Sequence, residues 1–594
     1  MSAFPVGQAD AAREQQWPSP APAAEAGPSR IGARALCEAL VANGVEAIFG
    51  YPGGAVLPIY DVLREFPMRH VLVRHEQGAA HAADGFSRAT GSVGVAMATS
   101  GPGAINLVTG LATAMMDSVP MVAITGNVAR PLLGRDAFQE TDIVGIALPV
   151  TKYARVVMDP DEVALSVAEA FEIARTGRPG PVLLDFPKDV LQLETAAPYP
   201  MPRELRLPGL LRPVRGDVPE ADELAELIAD AERPLILSGH GVQISGMQAI
   251  ELLREVAERT QIPVAHTLLG IGNLDETHPL SLGYAGMHGW MHVNKAIQQS
   301  DLLIGIGIRY DDRITGKTST FAPKARIVHV DVDRSEIGKN VRTDLGIVAD
   351  AGDLLEALLR RVPQSARRDA WWDQLNAWRI VSESRSWHGS GGWRHGRLSA
   401  DYVIAQIGEA TDHEATLVSD VGQNQMWAAR YFGFRRPYRH LSSGGLGTMG
   451  YAVPAAMGAA LGAPERETWA VTGDGGFQMT MQELATLVSE QIPVRIAVLN
   501  NRKLGMIRQW QEIVYDGNYH SAELFGPDLV RLCDAYGMAG FRATTPDEVP
   551  TVIAEARAQP GPALIDFQLC EEQNVYPMMP PGAGLSDLID EGDR

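Results

Sequence analysis

The stretch Glu467–Asn501, ETWAVTGDGGFQMTMQELATLVSEQIPVRIAVLNN, constrains this chain more than any other. An apolar run at Trp469–Thr472 reads as a strand buried on both faces. Gly473-Asp474-Gly475-Gly476 follows, a turn expected to need glycine, then an amphipathic helix from Phe477 to about Glu490. A second apolar run, Val494–Leu499, ends in Asn500-Asn501. Such a βαβ unit places both strands in one parallel sheet. Asp474 and Asn501 then lie just beyond the carboxyl ends of their strands, where open α/β sheets bind ligands. A carboxylate and an amide oxygen meeting in a glycine-lined crevice suit a Mg²⁺ ion that holds a diphosphate.

At 594 residues the chain is too long for one hydrophobic core and suggests three or four domains. The alternation of helical patterns with buried apolar runs predicts an α/β protein of three doubly wound parallel-sheet domains. The boundaries read as an extension over 1–30, a first domain over 31–195, a proline-rich linker over 196–216 and a central domain over 217–363. A linker dense in Trp, Arg and Ser then covers 364–398, a third domain 399–572 and a tail 573–594. The extension, rich in Ala, Pro, Gln and Glu, is expected to be disordered. It lacks the layout of a secretion signal. A net charge of −21 argues against nucleic acid or anionic membrane as partner, so an anionic substrate needs local positive groups. Three cysteines without metal spacing read as reduced thiols of a bacterial cytoplasmic protein. No apolar run reaches membrane-span length.

Within 31–195, Arg74-His75-Glu76-Gln77-Gly78 follows a strand and opens a helix of small residues, and Ser100-Gly101-Pro102-Gly103 tops another strand. Taken alone, Glu76 is a carboxylate favoured by a helix N-terminus. In the central domain, Gly239-His240-Gly241 and Gly305-Ile306-Gly307 follow apolar runs without completing GxGxxG, so a dinucleotide dehydrogenase is not expected. His288 and His292 stand four apart, but no third ligand accompanies them and no zinc site is expected.

The GDG…NN pattern resembles the signature of thiamine diphosphate (ThDP) enzymes. More narrowly, Gly50–Ala55, Arg74–Ala79, Asp136–Thr141, Gly286–Gly289, Tyr310–Lys317, Val421–Gln423, Ser443–Gly450 and Leu504–Trp510 resemble the catalytic subunit of acetohydroxyacid (acetolactate) synthase. The likeness covers residue 31 to the C-terminus. It implies decarboxylation of pyruvate and carboligation to a second 2-keto acid, pyruvate or 2-ketobutyrate, giving 2-acetolactate or 2-aceto-2-hydroxybutyrate. That is the first common step of branched-chain amino-acid biosynthesis.

The resemblance also implies site residues. Mg²⁺ falls to Asp474, Asn501 and the Lys503 carbonyl. ThDP falls to Glu76, Pro52, Val421, Gly422, Gln423, Asn424, Gly447, Met449, Gly473, Asp474, Gly475, Gly476, Asn501, Gly505 and Met506. Glu76 is the acid set against the aminopyrimidine ring, and Met449 the apolar wedge that bends the coenzyme. A structural FAD falls to Gly239, Gly241, Thr267, Leu268, Met287, His288, Gly307, Arg309, Asp311, Arg313, Asp331 and Asp350. Arg313, as a planar fork, takes the acceptor carboxylate. Trp510, Phe138 and Met506 shape the substrate pocket, with Trp510 favouring the larger acceptor. Gly53, Gln139 and Lys152 complete the catalytic set, Gln139, Lys152 and Phe138 reaching in from a partner subunit. A homodimer or homotetramer is therefore expected, with a small regulatory subunit possible.

Two positions depart from the family pattern: Asn424 stands where His is usual, and Ala129 where many relatives have Pro. Rival readings are another FAD-containing ThDP enzyme (a pyruvate oxidase or a glyoxylate carboligase, the latter lacking the Glu) and a catalytically dead ThDP-fold scaffold.

Overall fold

A computed structural model describes residues 29–199, 205, 207, 210, 216–384 and 391–591. The expected disorder of the N-terminal extension falls on residues that, up to 28, lie outside this range, as does much of the 196–216 linker.

Three six-stranded, wholly parallel sheets succeed one another along the chain. The first comprises β1 (Ala47–Gly50), β2 (Arg69–Leu72), β3 (Gly94–Ala98), β4 (Met121–Asn127), β5 (Tyr153–Val156) and β6 (Pro181–Pro187). Their order is β2-β1-β3-β4-β6-β5. The central sheet has β7 (Pro234–Ser238), β8 (Val264–His266), β9 (Ser281–Tyr284), β10 (Leu302–Ile306), β11 (Arg326–Asp331) and β12 (Leu345–Val348), in the order β9-β8-β7-β10-β11-β12. That is the doubly wound order of dinucleotide-binding folds, with its switch point between β7 and β10. The third sheet has β13 (Thr416–Ser419), β14 (His440–Ser442), β15 (Thr468–Gly473), β16 (Val494–Asn500), β17 (Ala539–Ala543) and β18 (Ala563–Gln568), in the order β14-β13-β15-β16-β18-β17. First and third sheets thus share one topology. The central strands of each are buried throughout, as continuous apolar runs require when helices cover both faces.

The helices that place the site are α1 (Glu76–Thr90), α2 (Pro102–Asn106), α3 (Val108–Asp117), α4 (Asp369–Ser384), α5 (Gln423–Tyr431), α6 (Ala452–Gly462), α7 (Asp474–Thr480), α8 (Leu484–Ser489) and α9 (Gly505–Val514). First and third domains of one chain are joined by α1 against α6, both rich in Ala and Gly. A Cβ on Gly85 would lie 1.9 Å from the Ala455 carbonyl oxygen, and one on Gly458 1.8 Å from that of Ala82. Small residues let the two backbones approach in a way no larger side chain permits.

Four sequence expectations change. The GDG glycines adopt no left-handed backbone, since Gly473 is extended and Asp474-Gly475-Gly476 already begin α7. Glycine is needed there for space: a Cβ on Gly476 would sit 2.4 Å from Asp420 Oδ1. The helix expected from Phe477 to Glu490 is two helices, α7 and α8, separated by a 3₁₀ turn at Met481–Glu483. Residues 364–398, read as a linker, carry the 16-residue α4, whose Trp371 and Trp372 are buried in the central domain's core. The tail is also built in: Met579 and Leu585 join that core, and Lys317 N donates to the Ala583 carbonyl.

Gly458→Ala is expected to destabilise the protein by about 1–3 kcal/mol, since the added methyl meets backbone that cannot swing aside. Urea unfolding of the full chain, compared with Ala459→Gly on the same helix, measures it.

Candidate active site

The strand order of the third sheet reverses between β13 and β15, and the ends of those strands with the tip of β16 form a crevice. Asp474 opens α7 there and is 7% exposed. Its Oδ1 is buried and has no hydrogen-bond partner. Burial pushes its pKa up to about 7, while the backbone N–H groups of Asp474, Gly475 and Arg502 pull the other way. Gly473 pairs in register with Leu499, so the β15 and β16 tips lie side by side. Asn501 Oδ1 accepts from Lys503 N at 3.1 Å, and its amide nitrogen donates to Gln423 Oε1 at 3.3 Å. A buried carboxylate oxygen with no donor, beside an amide oxygen, fits a hard divalent cation. Among the described residues no cluster of three or more His, Cys, Asp or Glu exists, so such a cation would rest on this mixed set with a backbone carbonyl. The Lys503 side chain is turned to Glu523 and Glu571.

Around this point the crevice is made of close approaches. Gln423, at the start of α5, donates to Gln509 Oε1 (2.9 Å) and the Gln573 carbonyl (3.1 Å), and a Cβ on Gly505 would strike its Oε1 at 2.0 Å. Asn424 donates to the Asp420 carbonyl at 2.8 Å, fixed between β13 and β15. Met449 lies beside Gly475. Sequence reasoning missed Asp420. Its carboxylate accepts the N–H groups of Val421 (2.9 Å), Gly450 (2.9 Å) and Ala452 (3.0 Å), tying the glycine-rich loop and α6 to the end of β13. An aspartate closing a buried strand was the available signal.

A second cluster sits on the first domain. Glu76 is 9% exposed at the N-terminus of α1. Asn106, on α2, donates to its Oε2 at 2.9 Å. Its Oε1 faces Gly103, where a Cβ would come within 3.0 Å. Thr99 packs against both Gly103 and Gly53, and Gly101 (φ +60°) fits against the backbone of Gln139. Glu76, Gly53 and Gln139 are thus brought together, Pro52 preceding Gly53 in the same turn. Asn106, and Tyr60 whose phenol feels the Glu76 charge, both belong to this domain. The Lys152 ammonium donates to the carbonyls of Ile173 and Thr176, and burial lowers its pKa to about 8. Phe138 is 88% exposed. Glu483, unforeseen from sequence, reaches from the third domain to accept from Arg74 N at 3.0 Å, just ahead of α1.

A third region is a cavity of about 1480 Å³ between the three domains. Gly241, Thr267, Leu268, Met287, His288, Gly307, Arg309, Asp311, Arg313, Asp331 and Asp350 line it, joined by Val421, Gly422, Gly447, Met506 and Trp510. At its floor the β7 and β10 ends touch: Gly241 N donates to the Gly307 carbonyl (3.1 Å), and a Cβ on Gly241 would fall 2.5 Å from Gly307 Cα. Gly239 sits behind this contact, its N–H donating to Ile306. Gly307 has φ +61°, a conformation that favours glycine. The volume exceeds that of a usual small-ligand pocket, roughly 300–1,000 Å³, and fits an extended dinucleotide. Burial drives the His288 pKa down to about 3, so its imidazole is neutral. Arg313 is exposed, with one nitrogen 3.2 Å from Met287 Sδ. Trp510 shares that mouth.

Three doubly wound parallel sheets, with a buried, unpartnered carboxylate oxygen at a strand tip of the third, point to the thiamine diphosphate enzymes, and the family comparisons agree. The N-terminal TPP binding domain, central domain and C-terminal TPP binding domain of thiamine pyrophosphate enzymes match residues 30–146, 221–358 and 420–567 respectively. The chain is 47% identical over 569 residues to the acetolactate synthase of Mycobacterium bovis, covering 94% of this chain and 91% of that one. It is 46% identical to the acetolactate synthase large subunit of Corynebacterium glutamicum (96% and 93% covered). It is 45% identical to the probable acetolactate synthase large subunit of Methanocaldococcus jannaschii (94% and 95% covered). The chain belongs to the acetolactate synthase large-subunit family of thiamine pyrophosphate enzymes.

Burial raises the Asp420 pKa to about 6. Between about pH 4 and 6 the folded chain keeps this proton while the unfolded chain sheds it, so this group's contribution to stability falls as pH rises through that window. Asp420→Asn is expected to lose that slope. It should also lose about 1–3 kcal/mol, because an amide nitrogen cannot accept from Ala452 N. Unfolding free energies of both proteins from pH 4 to 7 test it.

Proposed function

We propose that the chain is the catalytic subunit of an acetolactate synthase, a transferase that decarboxylates pyruvate and joins the remaining two-carbon unit to pyruvate or 2-ketobutyrate. The products are 2-acetolactate and 2-aceto-2-hydroxybutyrate, precursors of branched-chain amino acids. The observation that carries the reading is the unpartnered, buried Asp474 oxygen beside Asn501, in a chain whose three sheets each match a thiamine pyrophosphate enzyme domain. The relatives' names favour a synthase over the rival pyruvate oxidase.

Thiamine diphosphate, when bound, supplies a nucleophilic carbon and a sink for the electron pair left by decarboxylation. This chain's residues do the rest. Asp474, Asn501 and the Lys503 carbonyl would hold Mg²⁺ and through it the diphosphate, with Val421, Gly422, Gln423, Asn424 and the GDG backbone around them. Asn424 can donate a hydrogen bond but carries no charge, unlike the usual His. Glu76 holds and returns a proton at Oε1, its other oxygen occupied by Asn106. Met449 presses on the coenzyme from the loop side. Arg313 orients the acceptor carboxylate, and Trp510 and Met506 wall the acceptor's alkyl group. Gly241, Thr267, Leu268, Gly307, Arg309 and Asp331, which line the interdomain cavity, would hold FAD in a structural role, since the reaction has no net redox step.

Phe138 stands in solvent, which supports a site completed between two subunits. The working assembly is a homodimer or higher homo-oligomer, joined by a small regulatory subunit as the relatives' designation as large subunits suggests. Domain limits at 31–195, 217–363 and 399–572 are adopted with α4 reassigned to the central body. Among the described residues no helix is long and apolar enough to cross a membrane, and the three cysteines are buried free thiols; a cytoplasmic location accords with both.

The test is incubation with pyruvate, ThDP, Mg²⁺ and FAD, with and without 2-ketobutyrate. The expected products are CO₂ with 2-acetolactate and, with the second acid, 2-aceto-2-hydroxybutyrate; acetyl phosphate with peroxide would contradict the reading. Glu76→Gln should lower turnover by about 10²–10⁴-fold while ThDP affinity changes little.

A further inference from the structure

The loop Ser443–Gly450, which carries Gly447 and Met449 to the coenzyme crevice, is held by residues outside its own domain. Asp117, the last residue of α3 in the first domain, is 2% exposed. Its Oδ2 accepts from Gly444 N at 3.0 Å and its Oδ1 from Gly445 N at 2.7 Å. Arg88 of α1 completes the carboxylate's shell at 2.8 Å and also pairs with Asp84 at 2.8 Å, so the charge of Asp117 is compensated without drawing on the loop. The central domain closes the other side. His240 Nδ1 donates to the Asp117 carbonyl at 3.0 Å. A Cβ on Gly445 would lie 2.9 Å from Asp117 Oδ1 and 3.0 Å from an Arg309 guanidinium nitrogen, and one on Gly444 2.8 Å from Leu269. The loop is therefore clasped between two domains.

Asp117, His240, Arg309, Gly444 and Gly445 also form part of the wall of the large interdomain cavity. Whatever fills that cavity bears on Arg309 and His240, and so on the clasp. A loop ordered by one ligand is cheaper for the next ligand to bind, which is coupling in the thermodynamic sense and must be reciprocal.

We propose that Asp117 is a positioning residue: its two hydrogen bonds to the 443–450 loop couple the occupant of the central cavity to thiamine diphosphate, so that each tightens the other's binding. This rests on the reading that the cavity takes FAD. It gives a flavin with no redox task a task, that of setting the loop against which the coenzyme is bound.

The experiment uses the full-length protein stripped of cofactors. ThDP with Mg²⁺ is titrated with and without saturating FAD, followed by tryptophan fluorescence, for wild type and Asp117→Asn. Flavin affinity is read separately from flavin fluorescence, and amide hydrogen exchange is followed across 443–450. In wild type, FAD should tighten ThDP about tenfold, a typical size for such coupling. In Asp117→Asn, flavin affinity should stay within about threefold, ThDP affinity should become independent of FAD, and the Gly444 and Gly445 amides should exchange about tenfold faster or more. Gly445→Ala, which pushes the loop off the carboxylate while leaving the Arg88 pair intact, guards against a folding defect and should act alike. Unchanged loop exchange in both variants, or coupling retained in either, overturns the proposal, as does a wild type whose ThDP affinity ignores bound FAD. A wild type that binds no flavin fails the cavity reading itself, and with it the coupling.

Discussion

A carboxylate buried at the tip of a parallel sheet, with one oxygen lacking any donor, is the constraint on which this structure turns. Taking an ionised carboxylate out of water is costly unless a counter-charge meets it. At Asp474 the protein provides a few backbone N–H groups and no cationic side chain, and the carboxyl is poised near neutrality. The contrast with Asp420, buried a few ångströms away, is instructive. Asp420 has its acceptor capacity met by three backbone amides and serves as a fastener. Asp474 keeps one buried oxygen without a donor, which suits the divalent cation proposed for it. Two aspartates closing neighbouring strands thus divide structure from chemistry by the number of donors around them.

That crevice is useful only if held in register with the rest of the protein, and the joints combine close backbone approach with buried side-chain bonds. Helices α1 and α6 approach until Gly85 and Gly458 lie against the facing carbonyls. Tyr451, just ahead of α6, donates to Asp84 on α1, and Arg88 spans Asp84 and Asp117. Glu483 turns back from the third domain to receive the chain entering α1. Small-residue contacts and buried charged hydrogen bonds of this kind tolerate little slippage. They set the position of Glu76 relative to its own chain while leaving Oε1 open toward Gly103.

Much of this was legible in the sequence, for a physical reason. Central parallel strands are buried on both faces, so Pro234–Ser238, Leu302–Ile306 and Thr416–Ser419 announce themselves as unbroken apolar runs with sharp ends. The GDG and NN positions could be placed because they end such runs. What stayed hidden depends on distant partners. Glycine in GDG signals either a left-handed turn or a close neighbour, and only the fold reveals that Asp420 is the neighbour. The break at Met481–Glu483 interrupts a pattern with sound helical periodicity, and Glu483 at its end bonds to Arg74 N, far away in sequence. Trp371 and Trp372 look like linker residues until the central core they fill is seen. Asp117 and Glu483 bond to amides hundreds of residues away and leave no local trace. The hold of Lys152 on the carbonyls of Ile173 and Thr176, at the end of a helix, is likewise invisible in the local sequence.

On the proposed function, Glu76 of one chain serves the crevice at Asp474 and Asn501 of another. Mixing two inactive proteins, Glu76→Gln and Asp474→Asn, unfolding and reassembling them together at equal amounts, tests this most directly. If sites are shared across a two-fold interface, half of the dimers are mixed and each regains one intact site, so carboligation should return to about a quarter of the wild-type rate. A mixture that stays as inactive as its components, although mixed assemblies form, would contradict it.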